Sequence, residues 1–179
     1  MSSPKRTFVV VAALTLTTGS LVSAPPANAA DLPSMTARYT VGAGASGVAI
    51  RPNGTSIITA NSSANTASIV DVPTGVVTSL AAGTQPNSVS ITPDGTQAYV
   101  SNYLSANVTA IDMATASVLR TIAAGNRPGR TAFTGDSATA LVANGGLGVN
   151  TITKVTVATG AVVGTLTATV PGNLLASPD

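Results

Sequence analysis

The chain has 179 residues, of which 44% are hydrophobic, 8% charged and 3% aromatic, and it contains no histidine and no cysteine. Its formal charge of +2 vanishes beyond the first thirty residues, where Arg38, Arg51, Arg120, Arg127, Arg130 and Lys154 balance Asp31, Asp71, Asp94, Asp112, Asp136 and Asp179. Charge this sparse and balanced argues against nucleic acid as a partner. The missing His and Cys exclude Ser-His-Asp and Cys-His nucleophiles, the common zinc and copper sites, and disulfides. No cofactor and no metal site is expected. Glutamate is absent, while Thr, Val, Ser, Asn and Gly abound, a composition suited to strands and tight turns.

In chain order, residues 1–30 have the three parts of a secretory signal. Lys5 and Arg6 precede an apolar stretch from Phe8 to Leu16, and Ala27-Asn28-Ala29 offers a small-residue cleavage site. Cleavage is expected after Ala29 or Ala30, giving a secreted, extracytoplasmic protein at the cell surface or outside the cell. Thr15, Thr17, Thr18 and Ser20 interrupt the apolar stretch before it reaches the ~20 residues a membrane span needs. No span is therefore expected after cleavage. Residues 31–37 read as a short linker.

From there the sequence repeats. Val48, Ile50, Pro52, Gly54, Asn61 and Asp71 return at a shift of 41 as Val89, Ile91, Pro93, Gly95, Asn102 and Asp112. Gly83, Pro86, Asp94 and Asn102 return at a shift of 42 as Gly125, Pro128, Asp136 and Asn144. The third copy then lengthens within Gly145-Gly146-Leu147-Gly148, so that Thr115-Ala116 meets Thr159-Gly160 at a shift of 44. Insertions confined to a loop leave strands in register. A fourth copy opens at Val170-Pro171-Gly172.

The middle copy shows four predicted strands: Ser88 to Thr92, Ala98 to Ser101, Val108 to Asp112 and Val118 to Ile122. Pro93-Asp94-Gly95 is the first turn, where Pro presets φ and Gly accepts a positive one. Four short strands in about forty residues describe one blade of a β-propeller. The expected fold is thus all-β: blades at about 42–82, 83–124 and 125–168, the start of another at 169–179, and a closing strand at 38–41 aligned with Arg120-Thr121-Ile122. About three and a half blades cannot close a ring alone, since a blade is stable only when neighbours cover it. The chain reads as a fragment of a longer protein, with self-association to close the ring as the competing reading.

Tyr99-Val100-Ser101-Asn102, preceded by Thr92-Pro93-Asp94-Gly95 and followed by Val108 to Asp112, resembles the YVTN-type β-propeller repeats of bacteria and archaea. Ile58-Thr59-Ala60-Asn61 and Leu141-Val142-Ala143-Asn144 keep only the Asn, and Gly135-Asp136-Ser137 has neither the Pro nor the Gly of the turn. The resemblance implies an extracytoplasmic propeller, in a family that includes cell-surface proteins and relatives of lactonases and quinoprotein subunits.

Pro93, Asp94 and Gly95 read as turn residues, as do Asp71 and Asp112 at the ends of third strands. Asn61, Asn102 and Asn144 recur with the fold period, which points to a structural bond needed by every blade and away from a ligand set. Binding is expected on the face where each outermost strand leads into the next innermost one. There the repeat is weakest, at Gln85, Asn87, Arg127 and Arg130, with Tyr103, Leu104 and Leu147 in adjoining loops. Arg127 and Arg130 flank Pro128-Gly129 and could together grip a carboxylate or phosphate. The expected function is a binding or cell-surface module for an unknown protein, glycan or small ligand, with no catalysis of its own. The alternative is a fragment of a lactonase-like or quinoprotein-related enzyme whose active groups lie in other blades.

Overall fold

The computed structural model describes residues 37–145 and 150–168. The leader, nearly all of the linker, Leu147 and the segment 169–179 lie outside the described residues. The described chain forms three four-stranded antiparallel sheets, each in sequence order. The first holds β1 (Ala45–Ile50), β2 (Ser56–Asn61), β3 (Thr66–Asp71) and β4 (Val77–Ala81). The second holds β5 (Pro86–Ile91), β6 (Gln97–Asn102), β7 (Asn107–Asp112) and β8 (Ser117–Ala123). In the third, β9 (Pro128–Phe133), β10 (Thr139–Gly145), β11 (Asn150–Thr156) and β12 (Ala161–Ala168) follow.

Strands start earlier than residue preference suggests. Asn87 is the second residue of β5 and Arg130 the third of β9, so neither is a loop residue as the sequence reading had placed them. The reason is backbone geometry just before them. Gln85 and Arg127 adopt left-handed φ values of 53° and 52°, the conformation that Gly44 takes at 73° in the equivalent position. This reverses the chain, and pairing begins at once through a bulge in which Pro86 and Pro128 oppose Asn102 and Asn144.

Left-handed residues recur at each turn. Gly54, Gly95 and Ser137 end the first hairpin of the three sheets, with φ of 71°, 71° and 60°. Ser137 therefore preserves the turn, although Gly135-Asp136-Ser137 has Gly in place of the Pro and Ser in place of the left-handed Gly. Gly75, Ala116 and Gly160 do the same at the third hairpin, between the third and fourth strands. For a non-glycine residue the conformation costs roughly 1–2 kcal/mol, because Cβ crowds a carbonyl oxygen.

The sheets stack face to face. Ile58, Ala60, Ala67 and Ile69 of the first sheet meet Val89, Ala98, Val100 and Ile111 of the second. Tyr99, Val108, Ala110 and Ile122 on the other side of the second sheet meet Phe133, Ala140, Val142 and Val155 of the third. The Tyr99 and Phe133 rings lie edge to face, with centroids 5.1 Å apart and planes at 81°. On the first sheet's outer side Val48 is 53% exposed, whereas its counterpart Val89, covered by a neighbouring sheet, is 8% exposed.

Two arginines cross the seams to backbone oxygens. Arg51 Nε donates to Gly95 O at 2.8 Å, and Arg120 donates to Val157 O and Ala158 O at 3.2 and 3.0 Å. Residues 38–41 lie outside the three sheets. Tyr39 Oη donates to Val72 O at 3.4 Å, and its ring stands beside Gly75. That third hairpin of the first sheet corresponds to the Val157–Gly160 hairpin on which Arg120 rests.

Candidate ligand-binding face

In a four-stranded meander, alternate connections emerge at opposite ends. The connections between sheets and the loops joining second to third strands share one end; the two remaining hairpins of each sheet share the other. The charges divide accordingly. Among the described residues all the acids, Asp71, Asp94, Asp112 and Asp136, stand at the hairpin end. Arg51 and Arg120 also act there, held by the carbonyls named above. Arg127 stands at the connection end, and Arg130 lies in that half of β9.

Each aspartate is occupied within its own turn. Asp71 accepts from the Thr74 hydroxyl and amide, and both hold its carboxyl below the usual range. Burial opposes ionisation of Asp94, but hydrogen bonds involving Thr92, Thr96 and Ser137 outweigh it, again lowering the pKa. The amides of Thr115 and Ala114 lower Asp112, and the Thr134 hydroxyl with the Ala138 amide lowers Asp136. Pro93 precedes Asp94 in its turn, and Gly95 supplies the oxygen that Arg51 binds. Among the described residues no three acids converge as a metal cage would require.

These shifts set the pH response. A carboxyl whose folded pKa is lowered contributes stability above its unfolded value of ~3.9 and loses it as pH falls through the folded value. Tyr99 shifts the other way: burial raises its pKa, only partly offset by Arg120, so its contribution is lost as pH rises beyond ~10. The melting temperature of the full chain is therefore expected to be level from about pH 5 to 9 and to fall below about pH 4. Circular dichroism melts across this range check it, and a midpoint near neutral pH would contradict the assignment.

Asn61, Asn102 and Asn144 are buried at the connection end of their second strands. Each donates through Nδ2 to a hydroxyl on the third strand: Ser68 at 2.9 Å, Thr109 at 2.9 Å and Thr153 at 2.9 Å. A second bond goes to Thr66, Asn107 and Thr151 respectively. The three amides lie against Gly42, Gly83 and Gly125, where an added Cβ would fall within 2.9 Å of the asparagine. This contact ties the repeated glycine to the repeated asparagine. Asn61 Oδ1 accepts from Thr59, but the equivalent positions are Val100 and Val142, which leaves Oδ1 of Asn102 and Asn144 without a partner.

The structure separates the two arginines that the sequence reading had grouped. The Arg127 guanidinium lies over the Tyr103 ring, 5.5 Å from its centroid. Gln85, exposed beside them, accepts from the Tyr103 amide at 3.0 Å. Arg130 instead lines a cleft of about 620 Å³ along the first strands of the three sheets, with Ser46, Asn87, Ser88 and Ser90. Asn87 Oδ1 there is shielded from solvent and has no partner. The stacking of Arg127 on Tyr103 joins residues of two sheets, and the sequence signals it only as a cation and an aromatic ring at repeat positions that are elsewhere uncharged and non-aromatic.

Sheets that keep their strands in order and stack around a line of first strands are blades of a β-propeller. The sequence matches the YNCE-like β-propeller family over residues 26–159, and the chain belongs to that family. Its fold is similar to Kuenenia stuttgartiensis hydrazine synthase, with TM-score 0.69 and 22% identity over 75% of this chain and 40% of that one. It is similar also to a functionally unknown protein from Desulfotomaculum acetoxidans, with TM-score 0.61 and 23% identity over 72% of this chain and 44% of that one. The WD40 repeats of RRP9 align at TM-score 0.61 and 13% identity over 69% of this chain and 38% of theirs. The chain thus spans less than half the length of these structures. No curated protein matches the sequence.

Proposed function

We propose that this chain is an exported propeller module that recognises a ligand, whether protein, glycan or small molecule, through its connection face. The observation that supports this most is the division of charge. At the hairpin end every described acid is occupied by turn hydrogen bonds, and the arginines that act there are held by backbone oxygens. Among the described residues no acid stands at the connection end, and Tyr103, Leu104 and Arg127, which depart from the repeat, are gathered at one seam, with Gln85 bonded to Asn65 at the preceding one. Leu104 is 60% exposed, so that seam offers apolar, aromatic and cationic surface together. Such mixed surfaces are typical of recognition sites.

Export and binding are tested separately. Protein recovered outside the cytoplasm is expected to begin at Ala30 or Asp31. A ligand found by screening glycans, proteins and small molecules on the immobilised chain is expected to lose at least tenfold in affinity in the Tyr103→Ala/Arg127→Ala double variant. Thr74→Ala/Thr115→Ala at the hairpin end should leave binding unchanged. Sensitivity to the second pair and not the first would sink the reading.

A further inference from the structure

We propose that Arg127, seated over the Tyr103 ring, is the anchor for an oxyanion on the ligand, a carboxylate or a phosphate; this rests on the connection face being the binding face. Arg127 corresponds to Gly44 and Gln85, and all three residues are left-handed. Glycine adopts that conformation without a Cβ clash, and arginine does not. Tyr103 in turn corresponds to Ser62 in the first sheet and Gly145 in the third. Only at the seam of the second and third sheets, among those described, do an aromatic ring and a cation stand together at these positions.

The geometry suits the task. Seating over the Tyr103 ring spends none of the guanidinium N–H groups on a hydrogen bond, which leaves them available for the paired hydrogen bonds that a carboxylate or phosphate accepts. The contact also holds the side chain half-buried, so less freedom is lost when a ligand binds. No hydrogen bond or ion pair engages the Arg127 side chain among the described residues. Arg51 and Arg120 are the contrast: their N–H groups are spent on Gly95 O, Val157 O and Ala158 O, as expected of arginines that fasten sheets together. All described acids stand at the far end of the sheets, so no described acid competes with an incoming anion at Arg127.

The test titrates the full chain with galacturonate, glycerol phosphate and, as neutral control, galactose, followed by NMR chemical shifts. At least one oxyanion is expected to bind tenfold or more tightly than galactose, and the tighter of the two names the source. Arg127→Gln should abolish that preference, Arg127→Lys should weaken it because the paired geometry is lost, and Tyr103→Phe should retain it. The sharpest variant is Arg127→Gly. It should lose the oxyanion yet melt a few degrees higher, because glycine relieves the left-handed backbone. Galactose binding as well as both acids, or an undiminished preference in Arg127→Gln, overturns the proposal. So does an Arg127→Gly chain that melts lower, since the arginine would then be structural. The recognition reading fails separately, if ligands found by screening do not respond to Tyr103→Ala.

Discussion

Tyr99→Ala is expected to destabilise the full chain by about 4 kcal/mol, the upper range for removing a fully buried aromatic side chain. Tyr99 is 0% exposed and sits between the second and third sheets, against Phe133. Deleting it empties the seam and removes an edge-to-face ring pair. The phenol oxygen behaves differently. It is shielded from water and has no hydrogen-bond partner, so it contributes desolvation cost and no bond. Tyr99→Phe is accordingly expected to be neutral or stabilising by up to about 1 kcal/mol. Urea unfolding of the three chains reads both effects. A loss on Tyr99→Phe comparable to that on Tyr99→Ala would show that the hydroxyl is bonded and that the seam is packed otherwise.

The second large effect is expected at Asn102. Its Nδ2 donates to Thr109 at 2.9 Å and to Asn107 at 2.8 Å, joining β6 to β7 where the chain leaves for the next loop. Asn102→Ala removes both donors, leaves the buried Thr109 hydroxyl without this partner and opens space beside Gly83, for a loss of about 3 kcal/mol. Asn102→Asp is informative beside it. The acid cannot donate to Asn107 Oδ1, and the charge would be buried, so it should be at least as damaging as alanine near neutral pH. Denaturation midpoints of the two variants, with an unchanged denaturant slope, check this. Near-native stability in Asn102→Ala would mean that recurrence of this asparagine reflects something other than the bonds it makes.

Much of the architecture was legible in the repeat. The shifts of 41 and 42 between equivalent residues, the order of the strands and the turn chemistry around Asp94 all follow from period and local preference. What could not be read is instructive. Arg130 and Asn87 looked like loop residues because neither favours strands, yet each follows a left-handed residue that starts pairing early. Gln85, Ala116 and Arg127 give no residue-type sign of positive φ, since the usual glycine is absent. Contacts across seams, such as Arg120 to the Val157 carbonyl or Arg127 to Tyr103, depend on how one sheet lies on the next. Pattern within a single repeat does not contain that information. Asn61, Asn102 and Asn144 could be singled out by recurrence, but their partner hydroxyls stand on the following strand and vary between Ser and Thr.

The outer strand of the third sheet has a consequence of a different kind. β12 runs Ala161–Ala168 without a charge or a proline, and Val162, Val163 and Leu166 are 47%, 56% and 59% exposed. Among the described residues no strand pairs with its outer edge, which sets amides and carbonyls in register with apolar side chains, the combination that templates cross-β growth. β8, the equivalent strand one sheet earlier, carries Arg120 where β12 has Gly164. Restoring a cation there, as Gly164→Lys, should delay fibril formation of concentrated protein while leaving the seams untouched. The strand that completes a blade is, in this chain, also the surface through which copies would polymerise.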